Sequence, residues 1–438
     1  MDLSLVVYAI PMLAIWSWYL LRRQASERRS AAARADAVQA GLTEPVSLHP
    51  TIDHGLCIGC GACVRACPEH PEHTVLGLIQ GRAHLIHASD CIGHGACRAA
   101  CPVNAISLVF GTERRGVEIP TLSPDFETNV PGIYIAGELG GMGLIRNAIE
   151  QGRKAIEAIA ARPAPPKDPG FLDVVIVGAG PAGFSASLMA LSKRLSYATI
   201  EQDSLGGAVF QYPRGKVVMT QPAELAIVGK VKFRSTSKED LLAFWQQAEK
   251  VSGVQIDYGR RMESIERVEG GFVVHTDKGE QHRTRNVLLA IGRRGTPRKL
   301  GVVGEQLPKV VYRLVDAEQY QGKKVLVVGG GDSALEAAAS IAEVPGTQVT
   351  LSYRGDAFQR AKAKNRERVD AAIRSGKLRA VLKSNVKRIE IDQVHLDCGD
   401  EDPLTLQNDA VIVSAGGVLP TSLLERIGIH SETKHGTH

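Results

Sequence analysis

The residues that most restrict the fold are 173–187, which read DVVIVGAGPAGFSAS. An apolar, strand-forming run leads into a glycine-rich turn and then into small residues at helical spacing. Such a turn brings backbone N–H groups close to a pyrophosphate, whose negative charge is stabilised at the helix N-terminus. The next strand, YATIE, ends in an acidic residue that can accept hydrogen bonds from a ribose diol. We therefore predict a dinucleotide-binding unit whose cofactor contacts are Gly178, Gly180, Pro181, Ala182, Gly183 and Glu201.

A second unit of this kind begins at Lys324, with the sequence KVLVVGGGDSALEAA. Two such units in one chain are typical of enzymes that bind a flavin in one unit and a nicotinamide cofactor in the other. The strand that follows ends in Arg354 rather than in an acid, and a cation there suits the 2′-phosphate of NADPH. NADPH is therefore predicted, while NADH stays open. The predicted contacts are Gly329, Gly331, Asp332, Ser333, Ala334 and Arg354.

The composition is that of folded globular domains. With 438 residues and 44% hydrophobic content, the chain is long enough for two or three packed cores. Its net charge of +5 is small, and it has no basic, aromatic-interleaved patch of the kind that binds nucleic acid. Seven of its eight cysteines lie between Cys57 and Cys101. This clustering indicates metal ligation rather than disulfides, and hence a reducing compartment.

The cysteine cluster consists of two copies of one motif. The first copy, CIGCGACVRACP, has the spacing C-x2-C-x2-C-x3-C-P, and the second, CIGHGACRAACP, has histidine at the second ligand position. The repeat resembles a bacterial-type ferredoxin with two [4Fe-4S] clusters, in which the fourth cysteine of each copy ligates the other cluster. The ligand sets that this resemblance implies are Cys57, Cys60, Cys63 and Cys101 for the first cluster, and Cys67, Cys91, His94 and Cys97 for the second.

His94 leaves two interpretations open. A neutral imidazole can ligate iron in place of a thiolate, and the loss of negative charge should raise the potential of that cluster above that of its twin. Alternatively, the fourth iron site is empty, and His94 stands beside a [3Fe-4S] cluster. Zinc fits less well, because two interleaved four-ligand runs that end in Cys-Pro have iron–sulfur spacing.

Residues 128–138, TNVPGIYIAGE, resemble the last flavin-contacting element of thioredoxin-reductase-like flavoproteins, T-x-V-P-G-I-Y-A-A-G-D. The resemblance implies FAD contacts at Gly137 and at Glu138, which replaces the aspartate of the family. In that family the element comes last in the chain, whereas here it precedes the first glycine turn. The resemblance therefore implies a circularly permuted flavin domain, fused directly to the ferredoxin segment.

The residues between the two glycine turns predict the remainder of a flavin domain. Gly206 and Gly207 suit a close backbone approach to the cofactor. Thr236 and Glu239 form a capping box that begins the helix DLLAFWQQAEKV. The run NVLLAIG is similar to the domain-crossing A-T-G motif of the same family.

An uncharged run of 19 residues at 3–21, LSLVVYAIPMLAIWSWYLL, predicts a transmembrane anchor. At 1.5 Å per residue, the run just spans a bilayer core of roughly 30 Å. Arg22 and Arg23 follow at once, and the positive-inside rule places the remaining chain on the cytoplasmic side. We therefore expect a single-pass protein of the cytoplasmic membrane whose redox domains face the cytoplasm.

The predicted fold class is α/β, with two Rossmann-like dinucleotide-binding domains, a small α+β ferredoxin-like domain and one N-terminal transmembrane helix. The predicted segments are an anchor at 1–21, a stalk at 22–48, the ferredoxin domain at 49–110, the permuted C-terminal part of the FAD domain at 111–161, a proline-rich linker at 162–170, the FAD-binding domain at 171–307, the NAD(P)-binding domain at 308–417, and a return segment with a tail at 418–438.

These parts predict an NAD(P)H-dependent oxidoreductase that passes electrons through FAD and two clusters, to or from an electron-transfer protein or a membrane partner. A nicotinamide exchanges two electrons as hydride, a cluster accepts one, and a flavin can do both. No side chain is predicted as an obligatory acid or base. The direction of flow stays open, and the related flavoproteins are commonly homodimers.

Three other functions were weighed against this one. A redox sensor without steady turnover and a flavin enzyme that acts on an organic substrate remain alternatives. Disulfide reduction is disfavoured, because Ala182 occupies the loop position at which related bacillithiol-disulfide reductases have cysteine. Cys398 is the only cysteine outside the ferredoxin segment.

Overall fold

The computed structural model describes residues 3–39, 45, 48–70, 74–91, 93–113, 116–141, 143–162, 170–219, 223–231, 235–293, 295–358, 361–399 and 402–436. The chain forms two compact units, which we call the small unit, Met1–Val117 with Lys434–His438, and the large unit, Glu118–Thr433. The predicted linker at 162–170 lies outside the described residues, apart from Arg162 and Gly170.

The small unit contains a long helix, two antiparallel strand pairs and two very short helices. Its elements are α1 Leu3–Gln39, β1 His49–Ile52, α2 Ala62–Ala66, β2 Leu76–Ile79, β3 Arg82–Leu85, a 3₁₀ turn at Ala88–Asp90, α3 Ala96–Ala99 and β4 Ile106–Val109. β1 pairs with β4, and β2 pairs with β3 through a turn at Gln80 and Gly81. Both turn residues have positive φ, 50° and 71°, as a tight two-residue hairpin requires.

The core of the small unit includes the predicted metal ligands themselves. α2 and α3 each begin after a glycine at the same place in the repeat, Gly61 and Gly95. The two copies of the motif therefore fold locally in the same way. The buried core residues are Cys57, Cys63, Val75, Leu76, Ala83, Cys97, Ala105 and Ile106.

The predicted transmembrane anchor at 1–21 is wrong. In the described part of the chain, no helix is both long enough and apolar enough to cross a membrane. α1 runs without a break from the uncharged run into the charged residues after Leu21. The predicted single-pass membrane localisation is overturned with the anchor.

Beyond Leu21, α1 continues through most of the predicted stalk and packs on the small unit. A Cβ at Gly77 in β2 would lie 2.5 Å from Oγ of Ser30, so the helix and the strand approach closely there. Glu27 Oε2 accepts a hydrogen bond of 3.3 Å from the backbone N–H of Gly81. The charged half of α1 is thus part of the fold of this unit.

The first half of the large unit is a mixed sheet with helices. Its elements, preceded by β5 Val117–Pro120, are β6 Ile133–Ile135, α4 Ile145–Ala161, β7 Leu172–Val177, α5 Pro181–Ser192, β8 Tyr197–Glu201, β9 Val217–Met219, β10 Ala223–Leu225, β11 Gly229–Val231, β12 Ser235–Ser237, α6 Lys238–Ser252, β13 Asp257–Tyr258, β14 Met262–Val268, β15 Gly271–Thr276 and β16 Gln281–Leu289. The strand order is β13-β8-β7-β16-β15-β14, and β6 also pairs with β16. β7 is apolar throughout its C-terminal half because it is a central parallel strand, covered on both faces.

The strand β6 belongs to this sheet although it precedes β7 in the chain. It runs parallel to β16, with Ile133 opposite Val287. The helix α4 that follows packs closely on α5, since a Cβ at Gly152 would lie 2.0 Å from the carbonyl oxygen of Ala182. The predicted domain boundaries, including those of the permuted segment, remain predictions.

The second half of the large unit contains a parallel sheet and an antiparallel one. Its elements are β17 Thr296–Pro297, β18 Val310–Val311, a 3₁₀ turn at Glu318–Tyr320, β19 Lys324–Val328, α7 Asp332–Ala342, β20 Gln348–Ser352, α8 Ala363–Arg374, β21 Leu378–Val381, β22 Asn385–Ile389, β23 Gln393–Asp397, β24 Leu404–Gln407, β25 Ala410–Val413, β26 Gly417–Val418, α9 Thr421–Ile427 and β27 Ser431–Lys434. The parallel strand order is β18-β25-β19-β20-β21, and β22-β23-β24 are antiparallel. The α/β part of the predicted fold class is therefore present in both halves.

Candidate functional site

Two cavities in the small unit coincide with the two predicted sets of iron ligands. Both cavities open in part to solvent. Cys101 from the second copy of the motif lines the first cavity, and Cys67 from the first copy lines the second. The ligand candidates are Cys57, Cys60, Cys63 and Cys101 around the first cavity, and Cys67, Cys91, His94 and Cys97 around the second.

Burial makes four of the cysteine thiols poor acids when no cation is bound. It raises the pKa of Cys63 and that of Cys91 to about 11 each. It also raises the pKa of Cys67 and that of Cys97. Iron binds the thiolate, so the positive charge of a cluster would compensate for this cost. The donor set therefore fits iron–sulfur ligation.

Backbone N–H groups point at two of the sulfur atoms. The N–H of Ala83 lies 3.5 Å from Cys57 Sγ, and that of Ala105 lies 3.3 Å from Cys101 Sγ. Both sulfur atoms line the first cavity. Hydrogen bonds to ligand sulfurs stabilise negative charge on a cluster and influence its potential.

The described ligand candidates surround cavities rather than meet at one point. Among the described residues, no group of three or more His, Cys, Asp or Glu side chains is placed to hold a single metal ion. The iron atoms of a cluster can bind ligands that are spread around a cavity, whereas a tetrahedral zinc ion draws its ligands to about 2.0–2.3 Å from one centre. The arrangement of the described ligand candidates therefore fits clusters.

The first glycine turn in the large unit is closed too tightly for larger residues. Gly178 has a φ of 103°, and a Cβ at Gly183 would lie 1.7 Å from the carbonyl oxygen of Gly178. α5 begins at Pro181, directly after Gly180, and proline is well suited to the first helical position. Free N–H groups at this helix start form a cradle for an anionic pyrophosphate.

Glu201 lies at the end of β8 beside this turn and is 6% exposed. Its Oε2 accepts a hydrogen bond of 2.7 Å from the N–H of Ala179, and its Oε1 accepts one of 2.8 Å from the N–H of Asp203. Burial raises the pKa of Glu201 despite these two donors. The carboxylate is thus fixed in orientation next to the glycine turn.

Gly206 and Gly207 pack directly on the first glycine turn. The N–H of Gly206 donates to the carbonyl oxygen of Ala179 at 3.0 Å. A Cβ at Gly207 would lie 3.0 Å from Cα of Gly180. The backbone of these two residues therefore lies close to the first glycine turn, which forms the cradle.

The segment after β6 also reaches the first glycine turn. Gly137 has a φ of 87°, and a Cβ there would lie 3.1 Å from Cβ of Ala182. Its N–H donates to Oε1 of Gln151 at 2.8 Å. Glu138 follows at the start of a 3₁₀ turn, Glu138–Gly140. The structure thus brings Gly137 and Glu138 to the same end of the sheet as the glycine turn.

The second glycine turn has the same construction. A Cβ at Gly329 would lie 2.4 Å from the carbonyl oxygen of Ser414, and α7 begins at Asp332 directly after Gly331. Asp332 Oδ1 accepts hydrogen bonds from the N–H of Lys362 and from Asn365 Nδ2, at 2.8 and 2.7 Å. Ser333 is exposed and Ala334 is buried. Asp332 therefore anchors the turn to α8, a contact that the sequence did not indicate.

Tyr353 is a residue of this second site that sequence reasoning missed. A Cβ at Gly330 would lie 2.3 Å from the Tyr353 ring, and that ring stacks on Phe358 with 5.6 Å between centroids. Arg354, the next residue, is exposed. The sequence feature that could have indicated Tyr353 is its position directly before Arg354, the predicted phosphate-binding cation.

Arg293 is a second missed residue. It lies just after the NVLLAIG run, and its Nη2 donates to the carbonyl oxygen of Glu118 at 2.8 Å. Burial lowers the pKa of Arg293, and the nearby charge of Glu138 opposes that effect. The partners are separated from it by more than 150 residues, so no local pattern could have revealed the pair.

Two family models match the chain. The model described as pyridine nucleotide-disulphide oxidoreductase matches residues 175–438. The model described as 4Fe-4S dicluster domain matches residues 49–102. The first contains both glycine turns, and the second contains all eight ligand candidates. The resemblances to a two-cluster ferredoxin and to a thioredoxin-reductase-like flavoprotein are thereby confirmed, whereas the permuted order of the flavin domain stays a prediction.

Curated relatives and solved structures match more than half of the chain. A bacilliredoxin reductase from Bacillus subtilis is 26% identical over 268 residues, 60% of this chain and 82% of that protein. A ferredoxin–NADP reductase from Sulfurisphaera tokodaii is 31% identical over 253 residues, 56% of this chain and 72% of that protein. The bacillithiol disulfide reductase Bdr (YpdA) from Bacillus cereus superimposes with a TM-score of 0.52 at 25% identity, over 59% of this chain and 81% of that one.

Proposed function

This chain belongs to the pyridine nucleotide-disulphide oxidoreductase family, and from that premise we propose that it transfers electrons between NADPH and a one-electron carrier protein. It is an NAD(P)H-dependent oxidoreductase with FAD and iron–sulfur centres. The proposal adds three points: two clusters with the ligand sets named above, NADPH as the nucleotide, and a ferredoxin-type protein as the partner.

The crossover of the two cysteine motifs carries this proposal. Cys101 and Cys67 each line the cavity of the opposite copy, which is the arrangement of paired clusters in ferredoxins. A chain that contains two one-electron centres and a nicotinamide-dependent flavoprotein unit has the parts needed to pass an electron pair on as single electrons. The name of the Sulfurisphaera relative supports the same partner class.

The chain's own residues would bind and orient the cofactors. FAD, when bound, accepts a hydride and releases its electrons one at a time. The first glycine turn would hold the FAD pyrophosphate and Glu201 the adenosine ribose, while Gly137 and Glu138 would contact the ribityl side. The second glycine turn would hold the nucleotide pyrophosphate. The permuted order of the flavin domain is part of the proposal, and the pairing of β6 with β16 supports it.

The preference for NADPH rests on Arg354. The side chain is exposed just after the end of β20, in the region where dinucleotide-binding folds bind the adenosine ribose. A guanidinium there can form a bidentate contact with a 2′-phosphate. An acidic residue at this place would instead accept bonds from the diol of NADH.

Disulfide reduction is not proposed, although it is part of the name of the matched Bacillus cereus protein. The large unit contains a single cysteine, Cys398, which is 7% exposed. It lies beyond β23 in the second half of the unit. Ala182 stands in the first glycine turn, where a reactive thiol would be needed next to the flavin.

The test is anaerobic stopped-flow mixing of the reconstituted full chain with NADPH and with NADH, each alone. We expect NADPH to bleach the flavin band and then the cluster bands, and to do so faster than NADH. Bleaching of neither band by either nucleotide would rule out the proposal. Faster bleaching by NADH would reject the assignment of Arg354 and leave the relay intact.

A further inference from the structure

The first cavity of the small unit lies beneath an exposed apolar surface. Leu56 and Ile58, on either side of Cys57, are 54% and 61% exposed. Cys60 is exposed, whereas the six other cysteines of the two ligand sets are buried or half-buried. Large aliphatic side chains next to an accessible ligand are typical of surfaces that bind another protein.

Among the described residues, the second copy of the motif differs from the first at two positions of this surface; Ile92, which corresponds to Ile58, lies outside the described residues. The residue that corresponds to Leu56 is Asp90, which is 3% exposed. The residue that corresponds to Cys60 is His94, which is half-buried. Because the two copies fold alike, the difference lies in their side chains, and it distinguishes the first cavity from the second.

Two arginines give this surface a positive rim. Arg65 Nη1 donates to the carbonyl oxygen of Cys60 at 3.3 Å. Arg82 follows Gly81, whose carbonyl oxygen would lie 1.9 Å from a Cβ at Gly59. Both arginines are exposed, and neither forms an ion pair with a described residue. The rim therefore carries cationic charge close to the first ligand loop.

Two acidic side chains near the rim have hydrogen-bond or ion-pair partners within the small unit. Asp53 accepts hydrogen bonds from the N–H groups of Gly55 and Leu56, at 2.7 and 3.3 Å. Glu27 pairs with Arg23 at 3.2 Å. The chain as a whole has a net charge of +5. Such a surface attracts an acidic protein and accelerates its association.

We propose that Leu56, Ile58 and Cys60, with Arg65 and Arg82 at the rim, form the docking surface for an acidic one-electron carrier protein. Cys57, Cys60, Cys63 and Cys101 would hold the cluster that exchanges the electron with that carrier. This inference rests on the proposed function. In the forward direction, each encounter would oxidise that cluster by one electron and reduce the carrier's metal centre by one. Two encounters would consume the electron pair that one NAD(P)H supplies.

The first experiment measures binding, with an acidic two-cluster bacterial ferredoxin as the probe and both proteins oxidised. In calorimetric titrations of the full chain at low salt, Arg65→Glu and Arg82→Glu should each raise the Kd about tenfold. Ile58→Ser should raise it as well. The matched control is Arg98→Glu, which reverses an exposed arginine on α3, beside the second cavity; its Kd should equal that of the unmodified chain.

The second experiment measures transfer by stopped flow, with the ferredoxin and with cationic cytochrome c as acceptors. Arg82→Glu, which touches no ligand candidate, should slow ferredoxin reduction and speed cytochrome c reduction, while bleaching of the flavin and clusters by NADPH stays unchanged. Equal effects of Arg98→Glu, or no effect of Arg82→Glu and Ile58→Ser, would overturn the proposal. Slower bleaching of the clusters by NADPH would also overturn it, because the surface would then serve an internal step. If NADPH bleaches nothing in the unmodified chain, the proposed function has failed, and the binding titration still tests the surface.

Discussion

Glu201 is the residue whose local geometry says most about cofactor binding. Each of its carboxylate oxygens accepts one backbone N–H, from Ala179 and from Asp203. Glu201→Gln keeps the size but removes one acceptor and the charge, and a hydrogen bond to a charged group contributes about 1.5–3 kcal/mol. We expect the Kd for FAD to rise by about tenfold to a hundredfold. Fluorescence titration of the flavin-free protein measures this change.

The control for Glu201 is Glu269→Gln, a change at an exposed residue of the turn between β14 and β15. It should leave the Kd for FAD unaltered. If Glu201→Gln binds FAD as tightly as the control does, the assignment of the ribose contact to Glu201 is wrong.

His94 determines whether the two clusters are alike. It lines the second cavity with Cys67, Cys91 and Cys97. If its imidazole ligates iron, His94→Cys adds a thiolate and should lower the potential of that cluster, because negative charge on the ligands stabilises the oxidised form. His94→Ala should release iron and leave a three-iron centre. Iron analysis and EPR-monitored redox titration measure both effects.

One result would exclude ligation of iron by His94. His70→Ala changes an exposed histidine near the same cavity and should alter neither the iron content nor the potential. Should His94→Ala behave like His70→Ala, the alternative stated from the sequence is correct, and His94 is a bystander beside a three-iron cluster.

At the scale of elements, Glu127 connects the approach to β6 with the end of α4. It accepts hydrogen bonds from the N–H of Gly132, at 2.7 Å, and from the guanidinium of Arg162. Burial alone would raise the pKa of Glu127, but these two donors outweigh it and lower the pKa overall. The ionised carboxylate therefore stabilises the segment that brings Gly137 to the first glycine turn.

A lowered pKa fixes the sign of the pH dependence. The ionised carboxylate of Glu127 stabilises the folded state fully above the pKa that this group has in the unfolded chain, about 4.3. This stabilisation is lost as the pH falls through the lower pKa of Glu127 in the folded state. Glu127→Gln should reduce the free energy of unfolding near pH 7 by about 1–2 kcal/mol, and the difference should shrink towards acid. Urea unfolding at several pH values measures it. The exposed control, Glu224→Gln, should show no such trend, and a pH-independent difference for Glu127→Gln would contradict the assignment.

Local patterns predicted the elements that depend on neighbouring residues. The two glycine turns predicted the strand and helix on each side of them, because a turn of this kind fits only that sequence of elements. The helix predicted from Thr236 and Glu239 exists, but its cap is one residue later: Ser237 Oγ accepts from the N–H of Asp240 at 3.0 Å. Ser and Thr both cap helices, so the residue types do not distinguish the two positions; the position of the cap depends on where the backbone becomes helical.

Features that depend on distant residues were missed for a physical reason. Arg293 and Glu118 meet only after the chain has folded. The apolar run before Arg22 was predicted as a membrane anchor because its residues were counted as uncharged, and that prediction failed for the described part of α1. The contact of Ser30 with Gly77 shows that the same helix also packs on the small unit.

At the scale of the whole molecule, the two kinds of redox centre fall in different compact units. All predicted iron ligands belong to the small unit, and both glycine turns belong to the large unit. Loss of a cluster should therefore leave the first half of the relay working. This separation makes the order of electron transfer testable with a single substitution.

Cys60→Ala is that substitution, because Cys60 is the exposed ligand of the first cavity and its loss disturbs the core least. We expect fewer iron atoms per flavin, an unchanged rate of flavin bleaching by NADPH, and loss of electron delivery to the ferredoxin probe. Cys398→Ala, at the cysteine of the large unit, should leave all three quantities unaltered. If flavin bleaching slows with Cys60→Ala as much as ferredoxin reduction does, reduction of the flavin by NADPH is not independent of the first cluster, and the assignment of the two steps to separate units is wrong.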